Sequence, residues 1–162
     1  MINREKIINF IKMAKINTYA SIGETSEKRL KNGGKKFEYM KDDFYYRDIY
    51  FGFNPFIGEE VIFYQKKPIW GMNYYGKVIS ELVTPKEIYS FLKEALKRVP
   101  KNKPYRGPAD FNNSDFKYTN NNDGTIEKFC GEEKIFYKNR FVYKLNYYGG
   151  FIKNNQELMI NN

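Results

Sequence analysis

Two segments of the sequence match each other without a gap at a constant separation of 73 residues. The first runs from Phe56 to Gly76 and the second from Phe129 to Gly149. Both begin with Phe-x-Gly-Glu-Glu, continue with Ile-Phe-Tyr and end with Asn-Tyr-Tyr-Gly. A match of this length indicates an internal duplication, and a repeat restricts the possible folds more than any local pattern does.

The duplication predicts two equivalent units, about residues 3–79 and 84–152. Neither unit has enough apolar surface for a core of its own, so we expect them to form a single domain over residues 1–153. The last residues, 154–162, are polar apart from a short apolar stretch and are predicted to be a flexible tail.

Each unit is predicted to contain one helix followed by short antiparallel strands. Thr84, Pro85 and Glu87 form a capping box with proline at the first helical position, and Pro100 ends the apolar periodicity that follows. A second helix is predicted over about residues 3–15. The strands, rich in aromatic and β-branched residues, are predicted at 44–51, 59–65, 68–75, 115–118, 125–130, 132–138 and 141–148. This pattern predicts an α+β fold, α-β-β-β-β twice, with the units packed by pseudo-twofold symmetry.

Residue types that are absent or rare exclude several classes of site. The chain has no histidine and one cysteine, Cys130, which excludes a disulfide framework, the common zinc sites and histidine-based nucleophilic catalysis. Cys130 stands where the first segment has Ile57, which favours a packing role. We therefore expect no cofactor and no metal. Because no apolar run approaches the roughly 20 residues of a membrane span and the N-terminus lacks a signal-peptide core, we expect a cytoplasmic protein without a membrane partner.

Charge and aromatic content indicate the kind of partner. Lys and Arg number 28 against 19 Asp and Glu, a net charge of +9, and the chain has 15 Tyr and 14 Phe. A positive field attracts anions, and aromatic rings stack on bases with about 1–3 kcal/mol each. An AT-rich genome would also favour this composition, although it explains the lysines better than the clustered tyrosines. We expect a small anionic ligand such as a nucleotide, and we leave open nucleic acid and a homo-oligomer.

Two loops contain candidate binding residues. The glycine-rich segment 20–36 is basic, includes Arg29, and is either a lid over a phosphate or a solvated loop. In the second half, Pro104 and Pro108 hold Tyr105 and Arg106 in a stiff turn. An arginine there can bind a phosphate or carboxylate with two hydrogen bonds, but the turn is equally a structural connector.

The strands supply further candidates. Alternation places Tyr46 and Tyr50 on one face of a strand and Arg47 on the other, where it either pairs with Glu59 or Glu60 or faces an anionic ligand. The repeated Asn-Tyr-Tyr-Gly motifs are either core and turn residues or line one cavity near the pseudo-twofold axis. The predicted ligand-binding residues are Arg29, Tyr46, Arg47, Tyr50, Trp70, Asn73, Tyr74, Tyr105, Arg106, Asn146 and Tyr147.

Several of these motifs together resemble an uncharacterised bacterial domain family that occurs alone or behind an Xre-type helix-turn-helix in regulatory proteins. The residues that carry the resemblance are Tyr46-Arg47-Asp48, Tyr50-Phe51-Gly52, Gly58-Glu59-Glu60, Lys67-Pro68-Ile69-Trp70, Met72 to Gly76, and Pro104 to Pro108. The resemblance extends over about residues 8–153, and in the basic loop only Arg29 matches. It implies a sensor-like or binding module and no catalytic residue. This sequence lacks the helix-turn-helix.

Three functions follow as hypotheses. The leading one is a non-enzymatic protein that binds a small anionic ligand, such as a nucleotide-derived signal, and sequesters it like a sponge, as a phage anti-defence protein would. The second is a nucleic-acid-binding or regulatory module, which would show a much steeper dependence on salt. The third is a nucleotide-acting enzyme with general acid–base catalysis by the glutamates at 59–60 or 132–133, although neighbouring strand residues point to opposite faces.

Overall fold

A computed structural model describes residues 2–18, 27–153 and 160–161. It has two α-helices, α1 (Arg4–Asn17) and α2 (Pro85–Leu96). The strands are β1 (Ile2–Asn3), β2 (Lys28–Arg29), β3 (Lys35–Lys41), β4 (Phe44–Gly52), β5 (Phe56–Tyr64), β6 (Lys67–Val78), β7 (Asp110–Asn113), β8 (Phe116–Thr125), β9 (Lys128–Tyr137), β10 (Arg140–Phe151) and β11 (Ile160–Asn161).

Nine of these strands form one antiparallel sheet in the order β2-β3-β4-β5-β6-β10-β9-β8-β7. The two longest strands, β6 and β10, lie near the middle and pair from Tyr143 opposite Val78 to Phe151 opposite Trp70. Two-residue turns join β5 to β6 and β9 to β10, and Gln65, Lys66, Lys138 and Asn139 have the positive φ that such hairpins require. Outside this sheet, β1 and β11 form a short parallel pair.

The predicted α+β fold, with two helix-plus-meander units packed against each other, is wrong. The protein is mainly β: strands from both halves belong to one continuous sheet, and the helices have only 14 and 12 residues. The matching segments predict strands within each half, but they do not show that β6 and β10 pair and join the halves through backbone hydrogen bonds. The predicted strands 125–130 and 132–138 are largely one strand, β9, and the prediction lacked β3 and β7.

The helix signals in the sequence are confirmed. At the start of α2 the Thr84 hydroxyl accepts from Glu87 N at 3.3 Å and the Glu87 carboxylate accepts from Thr84 N at 3.1 Å, which completes the capping box. At the start of α1 the Asn3 side chain accepts from Glu5 N at 2.7 Å. No helix in the described ranges has the length and apolar composition that crossing a membrane requires.

Both helices cover the inner face of the sheet and bury their apolar sides there. Phe10 of α1 stacks on Phe44 of β4, and Phe91 of α2 stacks on Phe116 of β8, with ring centroids 4.9 Å apart in both pairs. Because α1 packs on β3 and β4 while α2 packs on β8, the inner face between them is left to the side chains of the central strands. The candidate site lies in this region.

Removing one of these stacked rings should be costly. Phe10 is 2% exposed, so Phe10→Ala removes a buried ring and leaves a cavity, and we expect the free energy of unfolding to fall by about 3–5 kcal/mol. Tyr148→Ala removes an aromatic ring that is 61% exposed and should change it by less than about 0.5 kcal/mol. Urea denaturation of both variants tests this, and equal losses would contradict the packing of α1 on β4.

Candidate functional site

A cavity of about 530 Å³ opens between α2 and the inner face of β4, β5 and β6. Its inner end is formed by Lys15 of α1, Tyr46 and Asp48 of β4, Glu60 of β5, Tyr74 of β6 and Arg106. Its outer part is lined by aromatic and charged side chains: Glu27, Lys35, Tyr50, Phe53, Phe56, Lys86, Tyr89, Lys93, Glu94 and Lys97. Gly52, Ser90 and Leu96 complete the wall.

Strand alternation brings the inner residues together. Tyr46, Asp48 and Tyr50 share the inner face of β4, and Glu60 lies directly opposite Asp48 on β5. Tyr74 reaches the same place because its ring crosses Gly58, where an added Cβ would lie only 2.5 Å from Tyr74 Cζ. The glycine that begins the Gly-Glu-Glu motif therefore makes room for the tyrosine of the Asn-Tyr-Tyr-Gly motif.

Arg106 is the centre of a buried group of charges. Its Nη2 donates to Glu133 Oε2 at 2.9 Å, and its Nη1 lies 3.9 Å from Glu60 Oε1. Lys15 forms an ion pair with the other oxygen of Glu60, and the Tyr118 hydroxyl donates to Glu133. All four ionised groups are at most 8% exposed, so each depends on its partners to compensate for lost hydration.

Asp48 is the third carboxylate of this group. Its Oδ1 accepts a hydrogen bond from the Tyr74 hydroxyl at 2.6 Å. Burial, followed by the negative charge of Glu60, raises the pKa of Asp48 to about 7, although the Tyr74 hydrogen bond and the charges of Lys15 and Arg106 act in the opposite direction. The buried group thus contains three carboxylates and two cations, of which Lys15, Asp48, Glu60 and Arg106 line the cavity and Glu133 lies behind Arg106.

The outer part of the cavity combines rings with lysines. Tyr89 contacts Phe53 and Phe56 edge to face, with centroids 5.4 and 5.7 Å apart, and its hydroxyl donates to the Phe53 carbonyl at 2.7 Å. Lys86 and Lys93 of α2 line the cavity, as does Lys97, the residue that caps the C-terminal end of this helix. Within the described ranges Lys86 and Lys97 make no ion pair, whereas Lys35 pairs with Glu27 at 3.3 Å.

Four of the predicted ligand-binding residues line the cavity: Tyr46, Tyr50, Tyr74 and Arg106. Three others are buried in the core: Trp70 and Tyr105 stack on Phe129 with centroids 5.6 and 3.7 Å away, and Tyr147 donates to Asn120 Oδ1 at 2.8 Å.

The remaining four predicted residues lie elsewhere. On the outer face of the sheet lie Arg47, Asn73 and Asn146. Arg47 donates to Glu59 Oε1 at 3.0 Å, which agrees with the alternative that it pairs with a glutamate. Arg29 is exposed on the edge strand β2. The two Asn-Tyr-Tyr-Gly motifs therefore do not converge on one cavity. Of the proposed lid 20–36, residues 20–26 lie outside the described residues.

Sequence reasoning missed several residues of the site. Asp48 is a charged residue at an inner position of β4 between Tyr46 and Tyr50. A charged residue on an otherwise aromatic strand face indicates a candidate binding residue. Lys86, Lys93 and Lys97 recur at spacings that place them on one side of a helix, which is a second signal. The ion pair between Lys15 and Glu60 joins residues 45 positions apart, and no local pattern indicates it.

The arrangement is suited to binding by charge, hydrogen bonds and ring contacts. Among the described residues, no group of three or more Cys, Asp or Glu side chains is placed to hold a metal ion.

The fold and the site together define a mainly β protein with a cavity that is acidic at its inner end and basic and aromatic at its mouth. Residues 48–152, more than half of the chain, match the model of a family described as a domain of unknown function, DUF5680, and the chain belongs to that family. The matched region begins at Asp48 and includes β5, β6 and α2. The chain matches no curated protein and no solved structure.

The raised pKa of Asp48 should make stability depend on pH. Asp48 keeps its proton in the folded protein up to about pH 7, but in the unfolded chain only to about 3.8, so folding is favoured by protonation and this contribution is lost as pH rises between these values. Asp48→Asn should remove that loss, roughly 1.4 kcal/mol for each pKa unit. Relative to the wild type, the variant should therefore gain stability from pH 4.5 to pH 8.

Urea denaturation at several pH values measures this, with Asp123→Asn as the control because Asp123 is exposed on β8. The control curve should run parallel to the wild type. An Asp48→Asn curve that also runs parallel would contradict the raised pKa.

Proposed function

We propose that the protein binds a small organic anion with a flat ring, such as a nucleotide, in this cavity and does not convert it chemically. The observation that carries the proposal is the combination, at the mouth of one cavity, of lysines on α2 with the rings of Phe53, Phe56 and Tyr89. A volume of about 530 Å³ is within the ordinary range of small-molecule sites.

The charges at the mouth favour an anion. Lys86 and Lys97 are free to bind one because neither is in an ion pair with a described residue, and the net charge of +9 attracts anions from solution. A phosphate at either lysine gains charge-assisted hydrogen bonds, which are stronger than neutral ones.

The rings favour a flat ligand. Phe53 is 59% exposed and Tyr89 is half-buried, so an aromatic surface is open to the cavity. Stacking of a base on such a ring contributes about 1–3 kcal/mol. A nucleotide supplies both the ring and the anionic group.

The positions of the glutamates support binding without catalysis. Glu60 and Glu133 are committed to Lys15 and Arg106, and Glu59 and Glu132 are on the outer face in ion pairs with other cations. The four residues considered for general acid–base catalysis are therefore all paired, and Glu59, Glu132 and Glu133 do not line the cavity.

The wider role is part of the same proposal. A cytoplasmic protein that binds a nucleotide-derived signal without converting it lowers the free concentration of that signal, which is the effect of a sponge. The association of related domains with Xre-type regulators would give the same binding a sensing role. Neither role changes the test of the cavity itself.

Removing the lysines at the mouth should weaken binding. Isothermal titration calorimetry with mononucleotides, cyclic nucleotides and ADP-ribose identifies a ligand of the wild type at 50 mM salt. For that ligand, Lys86→Ala/Lys97→Ala should raise Kd at least tenfold, which corresponds to about 1.4 kcal/mol. Recovery of the ligand unchanged after prolonged incubation tests the absence of turnover.

The matched control is Lys77→Ala/Lys117→Ala, which removes the same charge from the outer face of the sheet. It should change Kd by less than twofold. Equal losses in the two double variants, or no binding of any of these anions by the wild type, would contradict the proposal. Binding of an oligonucleotide alone, lost at 300 mM salt, would instead support the nucleic-acid alternative.

A further inference from the structure

We propose that the ligand enters the cavity ring first, so that an exocyclic amino group of its base donates a hydrogen bond to Asp48 Oδ2 while its phosphate lies at the mouth of the cavity, at Lys86 or Lys97. The inference rests on the proposed function and narrows the ligand class to nucleotides whose base carries an amino group. Its basis is the unequal distribution of hydrogen-bonding groups between the two ends of the cavity.

Among the described residues, no group donates a hydrogen bond to Asp48 Oδ2. The Tyr74 hydroxyl donates to the other carboxylate oxygen, Oδ1, at 2.6 Å. Asp48 is only 4% exposed, and its side chain belongs to the wall of the cavity. A ligand that displaces water from this acceptor must supply a donor in its place.

The other polar groups at the inner end are already committed. Lys15 pairs with Glu60, and Arg106 donates to Glu133 and lies 3.9 Å from Glu60. Among the described residues Arg106 Nε also has no hydrogen-bond partner, but this atom is closed to solvent. The inner end therefore offers an acceptor to a ligand and no accessible donor without a partner.

Charge determines the orientation of the ligand. Once Asp48 is ionised, above about pH 7, Asp48, Glu60 and Glu133 outnumber Lys15 and Arg106, so a phosphate at the inner end would add negative charge beside an excess of carboxylates. An amino group carries no such penalty and supplies the donor that Oδ2 lacks. The phosphate therefore remains at the lysines of α2.

Pairs of nucleotides that differ in an amino group test the orientation. AMP has an amino group where IMP has a carbonyl, CMP has one where UMP has a carbonyl, and GMP has one where IMP has a hydrogen atom. At pH 8, the wild type should bind the amino member of at least one pair tenfold or more tightly, because a carbonyl oxygen beside Asp48 would face another acceptor. All pairs have the same phosphate, so the lysines of α2 contribute equally to each member.

Asp48→Asn tests whether this residue is the source of the preference. The asparagine side chain can still accept the hydrogen bond from the Tyr74 hydroxyl, but it carries no negative charge. The ratio of affinities for the amino nucleotide and its partner should therefore fall below threefold. The control, Asp123→Asn, should keep the wild-type preference. For the amino nucleotide, the affinity of the wild type should also rise between pH 6 and pH 8, because Asp48 ionises in this range. The rise should be smaller in Asp48→Asn. The other groups that face this position, Lys15, Tyr46, Glu60, Tyr74 and Arg106, are the same in both proteins.

The outcomes separate this inference from the proposed function. If nucleotides bind in a lysine-dependent manner but no pair favours the amino member, or if Asp48→Asn keeps the preference, the ring-first orientation is wrong and the binding proposal stands. If the wild type binds none of these nucleotides, both are wrong. The comparison of pairs on the wild type needs no variant, so it holds even if Asp48→Asn fails to fold.

Discussion

The placement of Arg106 between Glu133 and Glu60 is the interaction on which the inner surface of this protein depends. The two glutamates belong to β9 and β5, which are separated in the sheet by β10 and β6, and Lys15 adds α1 to the same group. The apolar core supplies most of the stabilisation of the fold. The charged group determines which side chains meet, because a buried charge that lost its partner would cost several kcal/mol.

This group also explains the polarity of the cavity. Its cations, Lys15 and Arg106, are paired with Glu60 and Glu133. Among the described residues, the polar atom at the inner end that can still bind a ligand is therefore a carboxylate oxygen of Asp48. The positive charge that remains available lies at the mouth, on α2. A cavity that is acidic inside and basic outside selects a ligand with a donor at one end and an anion at the other.

The sequence predicts the parts of the structure that depend on neighbours in the chain. The capping box before α2, the hairpin turns and the shared face of Tyr46 and Tyr50 all follow from local spacing. The sequence does not predict that β6 pairs with β10, and for this reason the predicted α+β fold class is wrong. The contact of Arg106 with Glu133 joins residues 27 positions apart through burial, which is why Arg106 was predicted as a ligand-binding residue and not as a partner of a core carboxylate.

A carbon-13 NMR titration of the carboxyl groups measures whether carboxylates are in excess beneath the cavity. One carboxyl carbon should titrate near pH 7 in the wild type, and this transition should be missing from Asp48→Asn. Such a result would show that the inner end of the cavity holds a carboxylate that ionises only reluctantly. Titration of every carboxyl below about pH 5, the range of ordinary Asp and Glu residues, would contradict the account.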